Sequence, residues 1–287
     1  MKRAVFDTLL YVGLALLCGL GGAGMAWVFA EVAGVPGGAA AWVASRPLVP
    51  TIAMWALLLP TTLAFARARG LDRAAVGIRR RRPGPELALG LLLGGAMIAG
   101  PALLGRLLGG YEPAQSAVAT GADALPLLAG LLPALLLAGF GEELAFRGFL
   151  LPIWQRAGGL RAGLFVSSLL FTAVHASNPG VTASGFAGIL LAGLWLGLAR
   201  ALSGSLWFPA GLHAGWNIAT STAFGLPVSG FELPSLLRWA PTDGAWARGL
   251  LGTGFGPEEG LAFHAALVLG TVAVLVLGPL LREAEPS

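Results

Sequence analysis

Apolar runs of about 20 residues, the length needed to cross a bilayer, recur along the whole chain between short polar stretches. They predict about eight membrane-spanning helices, at 8–33, 48–66, 86–108, 125–150, 160–178, 182–202, 205–225 and 261–281. The fourth run is unusual, because charges interrupt its C-terminal part. Met1-Lys2-Arg3 followed by an apolar stretch imitates a signal peptide, but the stretch reaches about Ala33. That is too long for a signal h-region, so it reads as a first span. Leu17 stands before Cys18 where a lipoprotein signal wants a small residue. The pattern therefore predicts an all-α polytopic membrane bundle.

Charge adds an orientation. With the N-terminus inside, inner stretches carry Lys2, Arg3, Arg67, Arg69, Arg73, Arg79 to Arg82, Arg156, Arg161, Arg200 and Arg282. Outer stretches carry Arg46, Arg238 and Arg248, together with Glu112, Asp123, Glu232, Asp243, Glu258 and Glu259. The alternation follows the positive-inside rule and predicts N-in, C-in topology. Hydrophobic residues make up 56% of the chain and charged residues 11%, which excludes a soluble globular enzyme, a disordered chain and a disulfide-rich secreted domain. The net charge of +4 is explained by topology, and no nucleic-acid partner is implied. With Cys18 as the one cysteine, neither an intrachain disulfide nor a cysteine zinc site can form.

Three regions are expected: 1–85 with N-terminal spans and an Arg-rich loop, 86–225 as a core, and 226–287 with an outer loop and the last span. Arg79 to Arg82 could hold anionic head groups, though a stop-transfer anchor is the preferred reading. Trp239 and Trp246 read as interfacial anchors or part of a short amphipathic helix. Gly90-x-x-x-Gly94 and Gly193-x-x-x-Gly197 permit close helix approach, but such spacings arise often by chance among 44 glycines.

Ionisable groups inside spans cost about 2.5–3.5 kcal/mol at the helix centre on insertion scales, so their distribution is informative. They gather in three segments. In Gly141-Glu142-Glu143-Leu144-Ala145-Phe146-Arg147, Glu143 and Arg147 are i, i+4 and can pair. Glu142 is rotated by about 100° from Glu143, which leaves one carboxylate for an ion pair and one for acid/base work. The second segment places Phe171 one turn before His175. The third places His213 and Asn217 on one helix face, where two neutral donors suit an oxyanion. A helix end in the head groups, a packing histidine and an interhelical hydrogen bond are the bland alternatives. The remaining histidine, His264, has no polar partner at helical spacing and reads as structural.

Glu142-Glu143-x-x-x-Arg147, Phe171-x-x-x-His175 and His213-x-x-x-Asn217, in that order on separate spans, resemble the motifs of the CAAX protease and bacteriocin-processing family. These ABI-family intramembrane endopeptidases include the type II CAAX prenyl proteases, and the resemblance covers roughly 125–225. It implies a helical membrane fold with a site open toward the cytoplasm. It also implies that Glu142 activates water with help from His175, that His213 and Asn217 stabilise the oxyanion, and that Glu143 and Arg147 support Glu142.

The expected function is endopeptidase cleavage of a membrane-associated or lipidated peptide or protein. Membrane lipids are expected partners, and an integral protein of a prokaryotic plasma membrane is the expected setting. No cofactor is favoured. A zinc-dependent version with Glu142, His175 and His213 as ligands is the first alternative. A non-catalytic scaffold or transporter component is the second.

Overall fold

The computed structural model describes residues 1–44, 48–78, 83–115 and 118–282. The Arg79 to Arg82 run, with its lipid and anchor readings, lies outside the described residues. Eleven α-helices form the frame among the described residues. They are α1 (Lys2–Val32), α2 (Ala39–Ala44), α3 (Leu48–Ala68), α4 (Arg73–Val76), α5 (Pro83–Leu107), α6 (Leu125–Glu143), α7 (Leu151–Val174), α8 (Ala183–Ser203), α9 (Trp207–Ile218), α10 (Ala245–Leu251) and α11 (Leu261–Leu281). Two π-helical turns, Leu144–Leu150 and Ala219–Ala223, extend α6 and α9. The short strands β1 (Tyr111–Pro113) and β2 (Trp239–Pro241) pair antiparallel, with Tyr111 opposite Pro241.

The chain is thus an all-α polytopic membrane bundle. In hydrocarbon every backbone polar group needs an internal partner, which leaves helices as the structure for such apolar runs. Among the described residues six helical stretches are long and apolar enough to cross a membrane. Two features separate that number from the eight runs of the sequence. The fourth and fifth runs are counted together in the stretch Gly121–Val174, which non-helical backbone at Gly158 and Gly159 divides into two helices. The chain doubles back there: a Cβ on Gly163 would lie 2.8 Å from the Leu151 carbonyl oxygen. The seventh run supplies only 12 α-helical residues before its π turn. Prolines 60, 101, 133 and 279 lie within helices.

Large apolar side chains such as Leu16, Leu20, Leu92, Leu104, Leu269 and Val276 are exposed, as a lipid-facing surface requires. The connecting segments gather at two ends. At one end Arg69 bonds Asp7 at 2.7 Å, Arg156 donates to the Arg69 and Gly70 carbonyls, and Arg200 donates to the Ala75 carbonyl. At the other, Thr120 bridges Ser235, Asn178 donates to the Ser229 carbonyl, and Thr182 donates to Glu259. Trp239 packs there against Phe224 with ring centroids 5.1 Å apart, while Trp246 on α10 is exposed.

Candidate active site

α9 lies against α5 because both present glycine at four-residue spacing. A Cβ on Gly90 or Gly94 would strike the Phe208 or Leu212 carbonyl of α9. A Cβ on Gly211 or Gly215 would strike the Leu87 or Leu91 carbonyl of α5. Small residues facing each other let backbones approach closely. Gly90-x-x-x-Gly94, read as chance in the sequence, therefore seats the helix that carries His213 and Asn217. Gly193 on α8 makes similar room for Ser168, whose Cβ would lie 3.0 Å from an added Cβ.

Glu143 and Arg147 are both fully buried and pair as their spacing predicts, Arg147 Nη1 donating to Glu143 Oε1 at 2.8 Å. Arg147 Nη2 donates to the Gly193 carbonyl of α8 at 2.9 Å. Its guanidinium stacks over the Phe171 ring, 4.4 Å from the centroid, a cation–π contact in a desolvated setting. His213 Nδ1 lies 3.0 Å from the same Glu143 oxygen. One carboxylate oxygen thus joins α6, the π turn and α9. π turns cluster at functional sites, and this one holds Arg147.

Glu142 faces elsewhere, as the rotation from Glu143 requires. Its side chain keeps 24% of its exposure, and its Oε2 lies 3.8 Å from His213 Nε2. That oxygen is buried without a hydrogen-bond partner among the described residues. Buried polar atoms are normally satisfied, yet Glu142 Oε2, Glu143 Oε2 and Arg147 Nε all lack partners among the described residues, and of the two glutamates only Glu142 keeps any exposure.

His175 caps α7 at its C-terminus. Its Nδ1 is 2.7 Å from the Phe171 carbonyl oxygen. A carbonyl only accepts, so Nδ1 carries the hydrogen and Nε2 of the neutral ring keeps its lone pair. Phe171 links this histidine to the cluster, with ring centroids 4.7 Å from His175 and 5.9 Å from His213. Asn217 lies one turn beyond His213, half-buried, and its side-chain amide makes no hydrogen bond among the described residues.

The structure therefore brings Glu142, Glu143, Arg147 and His213 into direct contact and ties His175 to them through Phe171. Among the described residues no three His, Cys, Asp or Glu side chains are grouped to hold a metal ion. Glu142, His175 and His213 are not brought together as such a group, and His213 directs Nδ1 at Glu143 with Nε2 left toward Glu142.

The comparisons with known proteins bear on this cluster. Residues 124–219 match the model of the type II CAAX prenyl endopeptidase Rce1-like family. Over that stretch the core of the chain is similar to the CAAX prenyl endopeptidases. The matched stretch contains all seven motif residues, from Glu142 to Asn217. No curated protein and no solved structure matches the chain. The family supports intramembrane CAAX endopeptidase activity in general terms.

Several features escape the sequence reading. Arg147 needs the Gly193 carbonyl, and no spacing rule encodes a backbone acceptor on another helix. His264, with no polar partner at helical spacing, finds one in the preceding turn, its Nε2 lying 2.7 Å from the Glu258 carbonyl oxygen. Glu258 and Glu259, read as loop charges, are both buried.

Proposed function

We propose that this chain is an intramembrane endopeptidase that hydrolyses peptide bonds of membrane-associated or lipidated substrates with Glu142 as general base. The observation that carries this is the unpartnered Glu142 Oε2 beside the Glu143–Arg147–His213 network. Arg147 and His213 occupy Glu143, so the structural charge is compensated and the second carboxylate stays free. Glu142 takes a proton from water, and His175 orients that water through its Nε2 lone pair. The hydroxide oxygen bonds to the peptide carbonyl carbon, whose oxygen becomes the oxyanion. Asn217 donates to the oxyanion from its side-chain amide. His213 contributes through Nε2–H as an imidazolium, which carries a hydrogen on both ring nitrogens while Nδ1–H donates to Glu143. The C–N bond then breaks and the amine takes the proton back from Glu142, leaving a carboxylate and an amine.

The substrate reading rests on the family, which implies a peptide or prenylated protein at the membrane. The arginine-rich end of the bundle faces the cytoplasm under the positive-inside rule. The test is peptide cleavage by purified protein, wild type beside Glu142→Gln, with prenylated and unmodified peptides read by mass spectrometry. Fragments made by wild type alone support the proposal. Equal fragments from both proteins, or none from folded wild type in lipid, overturn it.

A further inference from the structure

The 3₁₀ turn Pro257–Glu259 precedes α11 and carries a second pair of adjacent carboxylates. Glu259 is engaged by neutral donors: Thr182 Oγ1 at 2.8 Å, the Thr253 amide and hydroxyl, and the Phe255 amide at 3.3 Å. Glu258 is different. It is 4% exposed, its Oε1 lies 3.4 Å from Ser229 Oγ, and its Oε2 has no partner within hydrogen-bond distance among the described residues. The Trp216 indole of α9 lies close enough to lower the Glu258 carboxyl slightly, without a hydrogen bond to it. Its own carbonyl takes the His264 bond from α11 and lies where a Cβ on Gly188 of α8 would fall. One residue therefore meets α8, α9, α11 and the 224–231 segment.

Both side-chain links lead to the candidate active site. The Ser229 carbonyl accepts from Asn178 Nδ2 at 3.0 Å, and Asn178 lies in the turn that follows His175. Ser229 holds φ at +45°, a left-handed conformation uncommon outside glycine, so the surrounding contacts must hold it. Trp216 immediately precedes Asn217 and is buried.

We propose that Glu258 is a positioning residue of the candidate active site, its docked carboxyl fixing the turn behind His175 and the α9 segment that bears Asn217. This rests on the endopeptidase reading above. The titratable neighbours are Glu259 on the same turn, His264 on α11 and Tyr111 on β1, with His213 one turn before Trp216 on α9. Thr182 and Ser184 are the polar groups that α8 presents to this turn. No Lys or Arg pairs with Glu258 among the described residues. Burial therefore pushes its carboxyl up to about 7, only partly opposed by Ser229 and Trp216. Burial first, and then the charge of Glu258, also raise the Tyr111 phenol.

The sign follows from linkage. A carboxyl raised in the folded state binds its proton more tightly there than when exposed, so docking is favoured at low pH. It weakens as pH rises from the ordinary value of 4.5 to about 7. Between pH 6 and pH 8.5, opening of the docked segments rises about tenfold through this group alone.

The test compares wild type, Glu258→Gln and Glu258→Ala in lipid by hydrogen exchange of 175–182 and 224–232 and by steady-state cleavage across that pH range. Exchange in wild type is expected to accelerate about tenfold relative to Glu258→Gln, and its kcat to fall relative to that variant with KM little changed. Glu258→Ala is expected to lose protection at every pH, with Glu258→Gln as the conservative rescue. Identical pH dependence in wild type and Glu258→Gln overturns the proposal, as does an exchange difference without a kcat difference between active enzymes. An exchange difference in a protein that cleaves nothing sustains the link to the two segments and overturns the endopeptidase reading instead.

Discussion

The molecule contains two pairs of adjacent glutamates, and they differ in what compensates them. In each pair one carboxylate is engaged by several donors and the other keeps a buried oxygen without a hydrogen-bond partner among the described residues. Glu143 is held through Oε1 by a cation and an imidazole, its own Oε2 being unpartnered as well, and Glu259 is held through both oxygens by hydroxyls and backbone amides. Glu142 retains exposure beside His213, whereas Glu258 is sealed under Ser229 and Trp216. A neighbouring cation compensates the first pair. The second pair has none among the described residues, and burial pushes the Glu258 carboxyl up to about 7. Adjacent carboxylates therefore do not mark a catalytic centre by themselves. The compensating arginine and the exposure of the second carboxylate separate the two.

The largest effect expected from this contrast is on turnover. Glu142→Gln removes the base and should lower kcat by about 10²–10⁴-fold while the protein keeps its unfolding midpoint, measured beside wild type in the same lipid. An active variant would make the first pair as structural as the second. Arg147→Met attacks the compensation itself. It leaves Glu143 buried beside His213 alone and should cost about 3–5 kcal/mol of stability, read as a lower unfolding midpoint. Adding Glu143→Gln to that variant should recover much of the loss, because removing both charges of a buried pair is often nearly neutral. A double variant no better than Arg147→Met would show that charge compensation is not what the pair provides.

Asn217→Ala tests the donor that completes the first site and has no counterpart in the second. Loss of one oxyanion donor should cost about 10²–10³ in kcat with little change in KM or in unfolding midpoint. A change confined to KM would move Asn217 from oxyanion stabilisation to substrate binding.

Much of the first pair was legible in the sequence. The i, i+4 spacing of Glu143 and Arg147 predicts their bond, and the rotation of Glu142 predicts its separate setting. The spans were legible because lipid leaves an apolar run only the helix. What stayed hidden involves partners distant along the chain. His213 and Asn217 share a face as expected, but the Nδ1 contact of His213 with Glu143 joins residues 70 apart. The break between the fourth and fifth runs falls at Gly158 and Gly159, two among many glycines. Gly90 and Gly94 gain meaning only from the matching spacing of Gly211 and Gly215. The burial of Glu258 and Glu259 was not legible, since a polar loop folded back on the bundle has the composition of an exposed one.

The smallest expected effect lies at the rim of the second pair and tests whether neutral donors suffice there. Thr182 accepts from the Gly185 amide at 3.0 Å, capping α8, and its hydroxyl donates to Glu259 at 2.8 Å. Thr182→Ala removes both bonds. Loss of such a cap costs about 0.5–2 kcal/mol, and Glu259 keeps the Thr253 and Phe255 donors. The variant should therefore lower the unfolding midpoint slightly and leave kcat unchanged at pH 6. Thr182→Ser restores an oxygen in the same place and should recover the midpoint. A loss as large as that of Arg147→Met would mean that the hydroxyl compensates Glu259 as strongly as the guanidinium compensates Glu143, and the contrast between the two pairs would collapse.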